Sequence, residues 1–295
     1  MKMKFVFIVV IISVGFYLSG CEKESSIERG VVVPVVTNLV GDTNYLDKIL
    51  LNDTLYYNGN LDIDTSVFVF KYDASKRLKT VTLKEGPTST IPEILYLECF
   101  YNQNDSLPFK AYFPLEQSTY HFYYDNLGRV IRDSVNNHSG NGVNLKRNLS
   151  YFSNKIFAEL YNPPFSNPIE KDTFILDSRG NMISSRYNIL TIGSMYELAT
   201  STFSTFDNGP SPFLKTPAFR IFSFTFGTLN FEQHYNNFGT NNILIDIYNR
   251  YPFTGSGPIN YPSNTSSLIN SYYHNGLLKN VKGDRSTWTY VYKSL

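Results

Sequence analysis

Few residues of the chain combine a reactive side chain with a spacing that chemistry requires. Asp62 and Asp64 stand two residues apart, so on a β-strand their carboxylates would share one face. Such a pair is able to hold calcium or to act as an acid and a base. The alternative is a solvated strand face, which we favour because no further acid and no glycine-rich calcium loop surrounds the pair. No metal site is therefore predicted.

The common catalytic motifs are missing from the sequence. It contains no Gly-x-Ser-x-Gly, His-Glu-x-x-His or Cys-x-x-Cys, and no phosphate-binding glycine loop. Three of the four histidines, His121, His234 and His274, lie beside aromatic runs and are interpreted as half-buried polar residues of strands. No catalytic residue and no cofactor are predicted, and a protein without enzyme activity is favoured.

The N-terminal segment has the layout of a secretory signal. Two lysines in residues 1–4 precede a predominantly apolar run over residues 5–18, and Leu18-Ser19-Gly20-Cys21 follows at once. The run is shorter than the roughly 20 residues that a membrane-spanning helix needs. Its end resembles the lipobox of bacterial lipoproteins, in which the cysteine becomes the lipidated N-terminus. We therefore predict a signal peptide over residues 1–20, lipidation of Cys21, and a flexible tether over residues 21–36.

The residues that follow Cys21 bear on location. The stretch Glu22-Lys23-Glu24-Ser25-Ser26 resembles the signal that carries Bacteroidetes lipoproteins to the outer surface, and the alternative is an ordinary solvated tether. A lipid anchor contributes about 0.8 kcal/mol per buried methylene, so several chains on one cysteine would hold the domain on a membrane. The predicted location is the outer membrane, with the domain on its periplasmic or its surface-exposed face.

Charge and cysteine content exclude other classes. Loss of Lys2 and Lys4 with the signal peptide changes the formal net charge from +1 to −1. A chain so close to neutrality has no long-range attraction for nucleic acid or anionic lipid, and no nucleic-acid partner is expected. Cys99 has no disulfide partner once Cys21 is acylated, so we predict a small buried hydrophobe rather than a nucleophile.

Aromatic residues recur with turn signals along the whole chain. The sequence has 23 Tyr and 23 Phe beside one Trp, a bias that favours strands. Similar corners follow aromatic runs at intervals of 23 to 38 residues, which suits a hairpin meander. The predicted corners lie at Asp73, Asn102, Asp125, Ser153, Asp177, Asp207, Asn236 and His274.

The corner at Asp125 shows why the chain should turn there. The carboxylate of Asp125 is suited to capping the turn, and Gly128 is suited to the positive φ that follows a type I turn. The corner at Asp73 has no glycine, so Lys76 is expected to adopt a left-handed conformation. The pair Asn275-Gly276 predicts a tight two-residue I′ turn.

At these corners the chain resembles the YD repeat of RHS-type proteins. The likeness is close over Phe122–Val130, and weaker over Phe70–Leu78 and Phe174–Ile183. With the lipobox, the chain is similar to poorly characterised YD-like lipoproteins of Bacteroidetes. The resemblance implies antiparallel strands wound by hairpins and brings no catalytic residues. We predict an all-β domain over residues 37–295, an antiparallel hairpin meander that forms a large twisted or partly rolled open sheet.

Binding candidates come from two proline-rich segments, Tyr161–Pro168 and Tyr251–Asn264, which are expected to be loops or sheet edges. Their aromatic residues, Tyr161, Phe165, Tyr251 and Phe253, are the predicted binding residues, because loops often carry function. The alternative is that the aromatics only fill the core and cross-strand pairs. The expected function is a non-catalytic binding or structural module for a glycan or an envelope protein. The alternative is a hydrolase or lyase that acts on an envelope or dietary polymer.

Overall fold

The computed structural model describes residues 44–57, 60–86, 90, 92–138, 144–191, 194–213, 216, 218, 241–250, 253–254, 257–258, 264–283 and 286–295. The predicted signal peptide, Cys21 and the tether lie outside the described residues, as do Tyr251 and the predicted corner at Asn236. Within the described part, no helix is long and apolar enough to cross a membrane.

The described chain forms nineteen strands. They are β1 (Asn44–Tyr57), β2 (Asn60–Tyr72), β3 (Leu78–Glu85), β4 (Ile94–Phe100), β5 (Lys110–Phe113), β6 (Ser118–Tyr124), β7 (Val130–Asn137), β8 (Leu145–Phe152), β9 (Lys155–Tyr161), β10 (Pro168–Leu176), β11 (Met182–Thr191), β12 (Ser194–Pro210), β13 (Asn241–Arg250), β14 (Phe253–Thr254), β15 (Gly257–Pro258), β16 (Asn264–Ser267), β17 (Ile269–Tyr272), β18 (Leu278–Lys282) and β19 (Ser286–Ser294).

All but β14 and β15 belong to one 17-stranded antiparallel sheet. Pairing runs between chain neighbours from β1 to β13, then from β13 to β16; on its other side β1 pairs with β19, β19 with β18, and β18 with β17. The two end strands, β16 and β17, are consecutive in the chain and are separated only by Leu268. The predicted antiparallel hairpin meander, which forms a large twisted or partly rolled open sheet, is confirmed.

The corner geometry predicted from sequence is confirmed at three hairpins. At Asp125 the amide of Gly128 donates to Asp125 O and the amide of Asp125 donates to Arg129 O, at 3.0 and 2.9 Å. Asp73 and Asp177 begin turns of the same pattern. Gly128 has a φ of 73°, and Lys76 takes the left-handed conformation expected of it, with a φ of 62°. Each turn is flanked by a register shift in the strand pairing, as a β-bulge produces.

Two predicted corners are wrong. The turn between β17 and β18 is the same four-residue corner rather than a tight I′ turn, since Gly276 N donates to Tyr273 O and only Gly276 has a positive φ there. It begins at Tyr273, one residue before His274. Asp207 lies inside β12, because the strand continues to Pro210.

Arginine and tyrosine side chains tie successive hairpins together. Arg129 donates from Nε to Asp125 Oδ2 at 2.7 Å, and its Cζ lies 4.6 Å from the ring centroid of Tyr151, on β8. The hydroxyl of Tyr151 in turn donates to Val130 O at 2.9 Å. The same arrangement recurs with Asp73, Arg77 and Tyr101. At these two corners, the sequence repeat therefore corresponds to a repeated set of contacts, in which the turn's arginine packs on a tyrosine of the next hairpin.

Alternation along the strands separates an inner face from an outer face. In β6, Ser118, Tyr120 and Phe122 are buried, and the residues between them are more exposed. Buried residues of β1 to β11, β18 and β19 merge into one core, in which rings meet edge to face, as Phe68 meets Tyr96 at 5.5 Å. The inner face is thus packed, and the residues of the opposite parity are presented outward.

Candidate functional site

The structure describes two of the four predicted binding residues fully. Tyr161 ends β9 and points to the outer face, and Phe165, 65% exposed, lies in the loop that joins β9 to β10. Residues 162–167 therefore form a loop, one of the two predicted alternatives, and the segment's ends, Tyr161 and Pro168, pair as strand residues. Phe253 begins β14 and pairs with Pro258 of β15, whereas Tyr251 lies outside the described residues.

Tyr161 belongs to a network of polar side chains on the outer face. Its hydroxyl donates to Glu159 Oε2 at 2.8 Å, and Lys171 Nζ lies 2.9 Å from Glu159 Oε1. The strand register sets this geometry, because Glu159 pairs with Asn148 on one side and with Lys171 on the other. The Asn148 side chain also bonds to Tyr161. Three adjacent strands thus hold a phenol, a carboxylate, an amide and an ammonium group side by side.

The hydrogen bonds in this network shift both acidic groups. The bonds from Lys171 and then Tyr161 hold the pKa of the Glu159 carboxyl below its usual range. The bond to Glu159 raises the pKa of the Tyr161 phenol. Glu159 is therefore a carboxylate acceptor, and Tyr161 stays a protonated phenol, half-buried on the outer face.

The same register extends the network to an exposed ring on β6. Arg132 pairs with Asn148 of β8 and with Tyr123 of β6, and its Cζ lies 3.7 Å from the centroid of the Tyr123 ring. Tyr123 is 42% exposed. We call the set Tyr123, Arg132, Asn148, Glu159, Tyr161 and Lys171 the outer aromatic face. It carries one ring on β6 and another on β9, with hydrogen-bonding groups on β7 to β10.

A second polar cluster lies on the inner face of neighbouring strands. Asp133 of β7 pairs with Arg147 of β8, and Arg147 Nη2 reaches Glu170 Oε1 of β10 at 3.6 Å. Asp172 follows two residues later on the same inner face, opposite Ala158. Asp133 and Asp172 are 0% and 3% exposed. We call Asp133, Arg147, Glu170 and Asp172 the inner charged cluster.

Burial perturbs the carboxyl groups of the inner charged cluster. It raises the pKa of Asp133 to about 7, against the opposing charge of Arg147. Burial, and then the charge of Glu170, also raise the pKa of Asp172. Both Asp133 oxygens and Asp172 Oδ1 lack a hydrogen-bond partner. General acid catalysis requires contact with the substrate, which this degree of burial opposes, so the outer aromatic face is the better candidate for a ligand.

The remaining reactive residues, among them Asp64, Cys99 and His138, lie against other parts of the fold. Asp64 faces Asp53 across the β1–β2 pair, and no group of His, Cys, Asp or Glu in the described ranges is placed to hold a metal ion. Cys99 is buried, as predicted, and burial raises the pKa of its thiol. His138 Nε2 bonds to Thr119 Oγ1 at 3.0 Å at one end of the β6–β7 hairpin.

Of the outer aromatic face, only Tyr161 was predicted from the sequence. The other residues lie within strands, whereas the predicted binding residues came from proline-rich segments. A usable signal was present, because Arg132 and Lys171 each precede an acidic residue in a strand. Alternation sends the members of such a pair to opposite faces. Their assembly depends on strand register, which single residues do not encode.

No protein-family model and no curated protein match the chain. Among solved structures, a porin-like protein from Bacteroides uniformis is similar over 84% of this chain and 96% of its own, with 12% identity and a TM-score of 0.47. A porin-like protein from Bacteroides vulgatus is similar over 86% of this chain and 100% of its own, with 11% identity and a TM-score of 0.47. The function is therefore argued from the residues of this chain.

Proposed function

We propose that the chain is a membrane-anchored cell-envelope lipoprotein that binds a glycan on the outer aromatic face without catalysing a reaction. The observation that carries this proposal is the network of Tyr161, Glu159 and Lys171 beside an exposed ring on the same face. Sugars present hydroxyl groups around a ring with apolar C–H faces. The outer aromatic face offers aromatic surface for those faces, and donors and acceptors for the hydroxyls.

The strands give this surface a fixed shape. Asn148, Glu159 and Lys171 lie in one row across three paired strands, which are about 4.8 Å apart. The side chains are also held by one another, since Glu159 accepts from both Lys171 and Tyr161. Groups that are already ordered lose less conformational entropy when a ligand binds. A glycan would therefore meet a preorganised surface.

The anchor is proposed from the N-terminal sequence. Leu18-Ser19-Gly20-Cys21 supports cleavage before Cys21 and lipidation of its thiol and amine, which would hold the domain on the outer membrane. Metabolic labelling with palmitate and membrane fractionation check this step. The Cys21→Ser variant should lose the label and leave the membrane fraction, and a label that persists would contradict the anchor.

Binding is tested with the full chain purified in detergent. An array of envelope and dietary glycans identifies a ligand, and titration of that ligand then compares three variants. Tyr123→Ala and Tyr161→Ala should each weaken binding about five- to thirtyfold, since a stacked ring contributes about 1–2 kcal/mol. Ile269→Ala removes an exposed apolar side chain from β17 and should leave affinity unchanged. Capture of protein partners alone, with no glycan bound, would contradict the proposal.

The hydrolase or lyase alternative predicts a different result. Its acids would have to come from the inner charged cluster, where Asp133 is wholly buried. Incubation of the bound glycan with the full chain should leave its length unchanged on chromatography. Shortening of the glycan that Asp133→Asn or Asp172→Asn abolishes would overturn the non-catalytic assignment.

A further inference from the structure

We infer that the ligand of the outer face is an anionic polysaccharide. This inference rests on the proposed function and adds the charge of the glycan, which the outer aromatic face alone does not specify. It is carried by a separation of charge between the two faces of strands β5 to β11, which alternation along the strands establishes.

The outward charges of these strands are almost all positive. Within β5 to β11, all of which the structure describes, Glu159 is the single acidic residue of the outward parity. The basic residues of that parity are Lys110, Arg132, Lys146, Lys155, Lys171 and Arg186. Because Lys171 lies 2.9 Å from Glu159, the one carboxylate is already neutralised. The outer face of these strands therefore has a strong positive charge.

The charged residues that face inward on these strands are mostly acidic, in contrast to those that face outward. Asp133, Glu170 and Asp172 face inward with Arg147 as the one basic residue of that parity on the same strands. The formal charge of the whole chain, +1, conceals this separation because it sums both faces. An anionic ligand responds to the local field of the surface that it approaches, not to the total.

The distribution of the cations favours a polymer over a single anionic group. They occur on β5 and on each strand from β7 to β11, so the basic surface extends over seven strands, or about 29 Å at about 4.8 Å per strand. One phosphate or carboxylate would meet one or two of these residues. The aromatic rings between the cations, Tyr123 and Phe157, favour sugar rings over lipid headgroups. An acidic polysaccharide satisfies both features.

The test uses the full chain in detergent and two matched polymers, dextran sulfate and uncharged dextran. We expect binding of dextran sulfate, with a dissociation constant that rises steeply between 50 and 300 mM salt, and little binding of dextran. Arg132→Glu and Lys146→Glu should each weaken binding about three- to tenfold. Lys282→Glu reverses the charge of an exposed lysine on β18 and should have a much smaller effect.

The other outcomes separate this inference from the proposed function. Equal binding of dextran and dextran sulfate at every salt concentration would overturn the anionic ligand and leave a glycan-binding surface. Binding of neither polymer, and of no glycan on the array, would overturn both. Capture by phosphatidylglycerol vesicles without polysaccharide binding would show a membrane surface as the ligand. If a DNA oligonucleotide bound as tightly as dextran sulfate, the surface would attract any polyanion, and a polysaccharide ligand would be overturned. If Lys282→Glu weakened binding as much as Arg132→Glu, the polymer would not bind on this face.

Discussion

The half-buried carboxylate of Asp125 accepts three hydrogen bonds within its own turn. Its Oδ1 accepts from the amides of Leu127 and Arg129, both at 2.9 Å, and its Oδ2 accepts from Arg129 Nε at 2.7 Å. Asp73 makes the same bonds with Ser75 and Arg77. One side chain thus satisfies the backbone of a whole turn, as an N-cap residue does for a helix.

Replacement of this carboxylate should destabilise the fold. We expect Asp125→Ala to lower the free energy of unfolding by about 2 kcal/mol, because two amides and one guanidinium group lose their acceptor. Urea denaturation followed by tyrosine fluorescence measures the change. Asn126→Ala, an exposed change in the same turn, serves as the control and should cost less than about 0.5 kcal/mol. Equal effects of the two changes would contradict a specific role for the carboxylate.

At the scale of the turn, backbone conformation decides which residues are tolerated. Gly128 and Gly276 have φ values of 73° and 80° at equivalent corners. A Cβ added at Gly128 would lie 3.3 Å from Leu107 Cδ1, whereas one added at Gly276 would meet nothing within 4 Å. A substitution at Gly276 therefore measures the cost of the left-handed conformation alone, whereas one at Gly128 adds the cost of a close contact with Leu107.

We expect Gly276→Ala to destabilise the protein by about 1 kcal/mol through conformation alone. Gly128→Ala should cost somewhat more, since Leu107 must also move. Lys76→Gly at the third corner should stabilise the protein by up to about 1 kcal/mol, because Lys76 already has a φ of 62°. Thermal unfolding of the three variants supplies the comparison. A loss of stability in Lys76→Gly would show that the contact of Lys76 Nζ with Leu295 O outweighs the backbone term.

These corners also show how far the sequence predicts the elements. A corner depends on four or five consecutive residues, so Asp125, Gly128 and Lys76 were predictable from local chemistry. The predicted I′ turn was wrong because Tyr273 begins a corner of the usual pattern without a capping carboxylate, and Asn275 then resembled the start of a shorter turn. The outer aromatic face was not predictable, because Arg132, Asn148 and Lys171 become neighbours only when four strands pair in register.

At the scale of the whole molecule, two sets of carboxyl groups give stability opposite dependences on pH. Burial alone would raise the pKa of Asp125, but its hydrogen bonds to Arg129 outweigh burial, and the pKa lies below its ordinary value. The pKa values of Asp73 and Asp177 are lowered in the same way. The stability that these corners contribute is present above about pH 4 and is lost as the pH falls below it. The corners therefore contribute to the loss of stability in acid.

The inner charged cluster sets the opposite limit. Asp133 has a pKa near 7 in the folded chain and an ordinary one near 4 when unfolded, so the folded chain holds more protons between these values. Stability then decreases as the pH rises through this window, since ionisation places in the core a charge whose two oxygens accept no hydrogen bond. Asp172, whose pKa is also raised, acts in the same direction.

We expect the free energy of unfolding to decrease between about pH 5 and pH 8, by an amount on the order of a few kcal/mol. Asp133→Asn keeps the shape of the protonated acid without its ionisation, so it should flatten the decrease and make the variant more stable than the parent at pH 8. Urea denaturation at four pH values measures the slope, and Asp105→Asn, at an exposed acid, should leave it unchanged. A slope that Asp133→Asn does not alter would mean that the carboxyl remains ionised in the folded core, with Arg147 as its counter-charge. In that case the pH dependence would have to come from Asp172, and Asp172→Asn distinguishes the two sources.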